Sequence, residues 1–168
     1  MRKTISLDLP YPSIKGVTAD RRTVMMVRRA YAGKHGELKG VLQYVYHYFY
    51  FNKLKDFETA NVILGIAQCE MKHFEILGEL LLELGIDPIF SSVSPLGASC
   101  DFVSDISYSK TAEKMIFDDI SFEMVSASNY ERLSEEVEDP TLQALFKRLA
   151  LDEELHIKVL RNRLNATK

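Results

Sequence analysis

Two stretches of this chain repeat one signature inside long helical patterns. "CEMKHFE" carries Glu70-x-x-His73, and "DEELHIK" carries Glu153-x-x-His156. Each is preceded by a second shared element, Glu37-x6-Tyr44 in the first half and Glu123-x6-Tyr130 in the second. The first Glu and the His are 36 residues apart in one half (37 to 73) and 33 in the other (123 to 156). The surrounding residues also correspond, since "IAQCEMKHFEIL" (66–77) aligns with "LALDEELHIKVL" (149–160), apolar on apolar. A chain built this way folds as two like units, each a pair of helices that presents the same side chains.

The hydrophobic period gives four helices. One is expected over about 19–51, with Val27, Ala30, Val41, Tyr44, Val45, Tyr48 and Phe51 on its apolar stripe. A turn at 52–55 leads to a second helix ending near Leu84, where Gly85 and Pro88 supply the stop. Residues 86–109 are rich in Ser, Gly and Pro and too long for a tight turn, which suits a crossover letting helices two and three run parallel. A third helix covers about 110–137. The fourth runs over about 140–164, with Asp139 as its cap and Pro140 at its first position. No strand alternation stands out. The expectation is an all-α four-helix bundle at 19–164 behind an extended arm at 1–18, the whole of 1–168 forming one domain.

Composition narrows the functions. Of the 168 residues 46% are apolar, enough for a sizeable core, and the net charge of −3 gives no electrostatic footprint for nucleic acid. Two isolated cysteines, Cys69 and Cys100, make neither a disulfide scaffold nor a CxxC metal site. No apolar run approaches the ~18 residues of a membrane span, and "MRKTISLDLPYPS" lacks the apolar core of a secretory signal. A soluble cytoplasmic protein is the expectation.

The repeat brings its polar residues to one level. In an antiparallel hairpin, positions equidistant from the turn lie at the same height. Residues 37 and 70 average to the 52–55 turn, and 123 and 153 average to 138, in the second turn. Each Glu also falls near the middle of its expected helix. Glu and His three apart share a helix face, and two turns separate each Glu from its Tyr, which puts Tyr44 and Tyr130 on the inward face too. Four carboxylates in a dry core are prohibitive unless neutralised. Two divalent cations balance them, the carboxylates bridging and each imidazole capping one ion. The outer nitrogen of each imidazole then needs a partner. Asp152 is the candidate for His73, while the equivalent position in the first half is Cys69, so the two metals are expected to be non-equivalent.

At these residues the chain resembles the ferritin-like dimetal-carboxylate superfamily, nearest to rubrerythrin-type proteins and manganese catalases. The resemblance covers about 19–164. It implies Glu37, Glu70, His73, Glu123, Glu153 and His156 as ligands of two ions, iron ahead of manganese. The four glutamates would take part directly in the redox chemistry, with hydrogen peroxide or dioxygen as the oxidant, as in peroxidases and ferroxidases. Manganese catalase and a non-enzymatic iron-handling or structural role are the alternatives. A rubredoxin-like module would need four cysteines, so electrons are expected from a separate donor. Cage ferritins usually carry a short fifth helix beyond the fourth, and an end at Lys168 weakens a storage-cage reading.

Other positions stay open at this level. Tyr44 and Tyr130 either bond a ligand carboxylate, relay electrons or simply pack. Asp119 is a labile ligand or a surface acid; His35 faces solvent; His47 lies at a helix interface. Cys69 is a buried thiol beside the site, and Cys100 lies on the crossover. The aromatic run 44–51 serves packing or a homodimer face. The acidic "SEEVED" (134–139) reads as a solvated helix end.

Overall fold

The computed structural model describes residues 3–90, 92–93, 99–100 and 105–166. Its elements in chain order are α1 (Arg21–Ala32), α2 (Glu37–Lys53), α3 (Phe57–Glu83), β1 (Ser92–Val93), β2 (Ser99–Cys100), α4 (Ala112–Glu136) and α5 (Pro140–Ala166). The two short strands pair antiparallel within the crossover, a local ladder that periodicity did not show. The rest of the crossover from 91 to 104, with the side chain of Cys100, lies outside the described residues.

Helix starts follow the capping residues in the sequence. Asp20 accepts from Thr23 N, Asp56 from Thr59 N and Thr111 from Lys114 N, each satisfying an amide that the helix itself cannot. Asp139 accepts from the amides of Thr141 and Leu142 at 2.8 and 3.1 Å, and Pro140 opens α5. Glu135 and Glu136 in the acidic stretch are exposed, whereas Ser134 and Val137 are buried.

The directions of the helices can be read from the two apolar clusters. One holds Ile76, Leu77, Leu80 and Leu81 late in α3, Tyr130 and Leu133 late in α4, and Leu142, Leu145, Phe146 and Leu149 early in α5. The other holds Phe51 at the end of α2, Ala60, Ile63 and Ile66 early in α3, Met115 and Ile116 early in α4, and Leu160 late in α5. Helices α3 and α4 therefore run parallel, joined by the crossover, and α2 and α5 run against them. This is an all-α four-helix bundle with a long crossover between its second and third long helices and apolar packing at both ends. Helices of 25 to 27 residues span roughly 40 Å at 1.5 Å per residue, so the middle of the bundle is well removed from either end.

One expectation needs correction. The single helix over 19–51 is two helices, because residues 33–36 leave helical geometry. The apolar stripe continues across the break, which is why periodicity missed it. The cause is the Gly33/Gly36 pair. A Cβ on Gly33 would lie 2.4 Å from the Arg29 carbonyl oxygen, and one on Gly36 would lie 2.7 Å from that of Ala30. Chain this close to the preceding turn tolerates only glycine. Helix α1 packs with the late half of α3 through Val27 and Tyr31, and α2 takes over along the early half. Glu37 is thus the first residue of α2 rather than the midpoint of a long helix. Its carboxylate sits in the first turn, where the helix dipole favours negative charge.

Asp119 is a second correction. It is not a surface acid, and it is not among the residues of the two glutamate–histidine groups. It is fully buried, and His47 Nδ1 lies 2.9 Å from both of its oxygens while Gln43 Nε2 donates at 2.8 Å. His47 Nε2 donates to the Ser107 carbonyl, and Ser107 N donates to Gln43. This buried polar knot ties the far end of the crossover onto α2. His35 is exposed, in agreement with its expected place.

Candidate metal centre

Between the two apolar clusters the bundle interior turns polar. Glu70, His73, Glu123, Glu153 and His156 are fully buried, and Glu37 is 3% exposed. All six side chains meet. They form two overlapping groups, Glu37–Glu70–His73–Glu153 and Glu70–Glu123–Glu153–His156, each with one ligand atom per residue and all of these within 4.8 Å of one another. Glu70 and Glu153 belong to both groups. The two halves of the repeat thus give two adjoining pockets with two shared carboxylates.

Both imidazoles turn Nδ1 inward. His73 Nδ1 lies 3.2 Å from Glu153 Oε1, 3.8 Å from Glu70 Oε1 and 3.9 Å from Glu37 Oε2. His156 Nδ1 lies 3.0 Å from Glu153 Oε2 and 3.3 Å from both Glu70 Oε1 and Glu123 Oε2. Among the described residues, seven buried side-chain N or O atoms lack a hydrogen-bond partner, and six belong here: Glu37 Oε2, both oxygens of Glu70 and of Glu153, and His73 Nδ1. Buried polar atoms are ordinarily satisfied, and leaving one unpaired costs about 1–3 kcal/mol. Six such atoms gathered at one spot, in two sets whose ligand atoms lie within 4.8 Å of one another, fit a pair of hard or borderline cations.

The remaining atoms of these groups are held from outside. Tyr44 on α2 donates to Glu123 on α4, and Tyr130 on α4 donates to Glu37 on α2. The tyrosines therefore cross between the two halves. Burial, joined by the glutamate charges around them, holds both phenols well above their usual pKa, so they stay donors. The outer nitrogen of His73, Nε2, donates to Asp152 Oδ2 at 3.1 Å, with Cys69 Sγ 3.4 Å away. That of His156 donates to the Ile5 carbonyl at 2.8 Å. Arg148, 6% exposed, reaches Asp152 Oδ2 at 2.8 Å. Sequence reasoning missed Ile5, Tyr11 and Arg148, because a non-periodic arm and a helix residue meeting over 140 positions apart leave no local spacing to read.

Without cations, the electrostatics concentrate protons in the site. Burial, then the neighbouring charges of Glu153 and Glu123, pushes Glu70 up to about 8. Burial likewise takes Glu123 up to about 8, against the pull of His156. Glu37 rises well above the carboxylate range through burial and the charges of Glu70 and Glu153. Burial also opposes ionisation of Glu153, but His73 and His156 outweigh it and hold this carboxyl far below its usual value. Burial disfavours both imidazolium ions, yet Glu153 and Asp152 around His73, and Glu123 and Cys69 around His156, raise both histidines well above the ordinary range. Protons here do part of what cations would do.

Comparisons with known proteins bear on the fold that carries these residues. A family model described as the ferritin-like domain matches residues 35–168. The structure resembles KatB, a manganese catalase from Anabaena, with a TM-score of 0.82 and 18% identity over 96% of this chain and 79% of that one. It also resembles the bacterioferritin BfrA of Mycobacterium tuberculosis, with a TM-score of 0.73 and 19% identity over 90% and 89% of the two chains. At such identities the likeness is one of fold. No curated protein matches the sequence. With four-fifths of its length matched by that model and the same bundle in its structural neighbours, the chain belongs to the ferritin-like domain family.

Proposed function

We propose that this chain is a dimetal redox protein that reacts with hydrogen peroxide or dioxygen, in the manner of a peroxidase or ferroxidase. The observation that carries the reading is the pair of overlapping buried groups with Glu70 and Glu153 in common. Glu37 and His73 would complete one ion's ligands, and Glu123 and His156 the other's, with Glu70 and Glu153 between them. Iron is favoured over manganese. When bound, two such ions exchange electrons with a small oxidant and stabilise the charge that develops on it.

The protein's own groups do the rest. Tyr44 and Tyr130 fix one oxygen each of Glu123 and Glu37, so that the remaining oxygens face the ions. Glu153, held ionised by the two histidines, and Glu70, which would give up its proton to a bound cation, would together offset the charge of the ions. Burial of all six ligands excludes bulky reductants, so electrons must arrive from a separate donor at the protein surface.

Loading the metal-free protein anaerobically with two equivalents of ferrous iron and mixing it rapidly with peroxide tests the reading. An absorbance change complete within seconds, with about one peroxide consumed per pair of ions, is expected. Unchanged ferrous protein would favour a structural or iron-handling role. The fold shared with a manganese catalase supports a second reading, peroxide disproportionation by two manganese ions. Oxygen evolution from manganese-loaded protein without added reductant selects it.

No helix among the described residues is long and apolar enough to cross a membrane, and a cytoplasmic setting agrees with the low cysteine content. A homodimer through the outer face of α2 is part of the proposal. Leu42 and Phe49 lie two turns apart on that helix and are 37% and 63% exposed, with Phe57 at 59% nearby at the start of α3. A Phe49→Glu variant should sediment as a monomer where the parent sediments as a dimer. Identical sedimentation of the two would remove this face from consideration.

A further inference from the structure

The two Glu-x-x-His motifs differ at the residue that precedes them. Asp152, before Glu153, accepts the outer N–H of His73 across the seam between α3 and α5. The symmetric place, before Glu70, is held by Cys69, whose thiol lies near both imidazoles but is a weak acceptor. His156 is nevertheless satisfied, because its Nε2–H donates to the Ile5 carbonyl in the N-terminal arm.

That arm is seated with care. Ile5 N donates to the Gly65 carbonyl at 3.1 Å, in the early half of α3. A Cβ at Gly65 would come within 2.8 Å of both the Lys3 carbonyl oxygen and Ile5 Cγ1. Glycine inside a helix costs about 1 kcal/mol relative to alanine, and here it makes room for the arm. Further along, Leu7 N donates to Asp152 Oδ1 at 2.8 Å and the Tyr11 hydroxyl to Oδ2 at 2.6 Å. Arg148 closes the arrangement by donating to the carbonyls of Leu7 and Leu9, its guanidinium 4.4 Å from the centre of the Tyr11 ring.

We propose that residues 3–11 are a working part of the metal centre: the Ile5 carbonyl positions His156, in the role that an acid at position 69 would fill, and Tyr11 positions His73 through Asp152. The inference rests on the six-ligand reading given above. It makes the two metal positions unequal for a stated reason. His73 is backed by a carboxylate locked by Arg148, Leu7 and Tyr11, and a charged acceptor makes an imidazole the stronger ligand. His156 is backed by a neutral carbonyl on a half-buried arm, so its ion is the exchangeable one.

Cobalt(II) serves as the probe. The full chain is expected to bind two ions and to show two exchange-protected, metal-shifted imidazole N–H resonances. A variant lacking residues 2–6 keeps Leu7, Leu9 and Tyr11 but loses the Ile5 carbonyl. It should bind one ion as tightly as the parent and the second about 10–100-fold more weakly, the usual effect of losing an outer partner. One protected N–H should disappear. Adding Cys69→Asp to that variant should restore the second binding step. Ile5→Pro in the full chain, which deletes the amide bonded to Gly65, should reproduce the truncation if the shortened chain does not fold. Unchanged binding of both ions in the truncated and Ile5→Pro chains, or equal weakening of both steps, overturns the role of the arm. A full chain that takes up no cobalt overturns the six-ligand reading instead, and the inference with it.

Discussion

A Glu153→Gln variant is expected to bind no metal, whereas Glu37→Gln should keep one ion of two. Glu153 belongs to both ligand groups and is within 3.2 Å of both inward-facing nitrogens. It is also the carboxyl that stays ionised even without cations, as the two histidines hold it far below its usual pKa. Glutamine preserves its shape and removes its charge, so the loss should exceed the ~10–100-fold that follows removal of an outer partner. Glu37 serves only one group. Elemental analysis after gel filtration, with circular dichroism to confirm the fold, gives the metal content of each variant. Two retained ions in Glu153→Gln would show that the shared carboxylates do not bridge.

Removing the metal should destabilise the protein increasingly as pH rises. A ligand present at about 1,000 times its Kd adds roughly 4 kcal/mol. Two such ions, at about 2–4 °C per kcal/mol for a domain of this size, raise Tm by on the order of 20 °C. In the metal-free protein Glu70 and Glu123 titrate near 8, Glu37 is raised, and both histidines are raised. The folded state therefore binds more protons than the unfolded chain once pH exceeds the ordinary carboxylate range. Stability from these groups is full below that range and is lost as pH climbs through about 8 and beyond. Glu153 and Asp152 act oppositely, but their contribution is complete above about pH 5 and stays level thereafter. Bound cations replace the protons, so loaded protein escapes this loss. Scanning calorimetry of loaded and stripped protein between pH 6 and 8.5 should show the gap in Tm widening. A constant or shrinking gap would mean that protons and metal do not compete for the same atoms.

Much of this architecture was legible from the repeat. Once two Glu-x-x-His motifs sit on apolar stripes with a Glu-x6-Tyr before each, their heights along two hairpins follow from counting residues to the turn, and the structure brings the six side chains together. The helix start at Asp139 and the stop at Gly85 followed from local chemistry. The break at 33–36 did not, because the stripe resumes in phase and the Gly33/Gly36 pair was its only mark. The Asp119–His47 pair joins residues 72 positions apart, and neither sits at a spacing that names the other. The arm was read as extended but given no task, since a segment without periodicity carries no sign of what it touches.

The crossing of the tyrosines has a developmental meaning for the molecule. Tyr44 completes a carboxylate of the second hairpin and Tyr130 one of the first, so neither hairpin owns a finished half of the centre. Each ion's pocket also draws on both hairpins for its shared glutamates. On the proposed two-ion reading, tight uptake would wait until the two hairpins have joined, and a bound pair would be a certificate of correct assembly. A chain released with one hairpin misfolded would remain empty, distinguishable from its finished siblings by metal content alone.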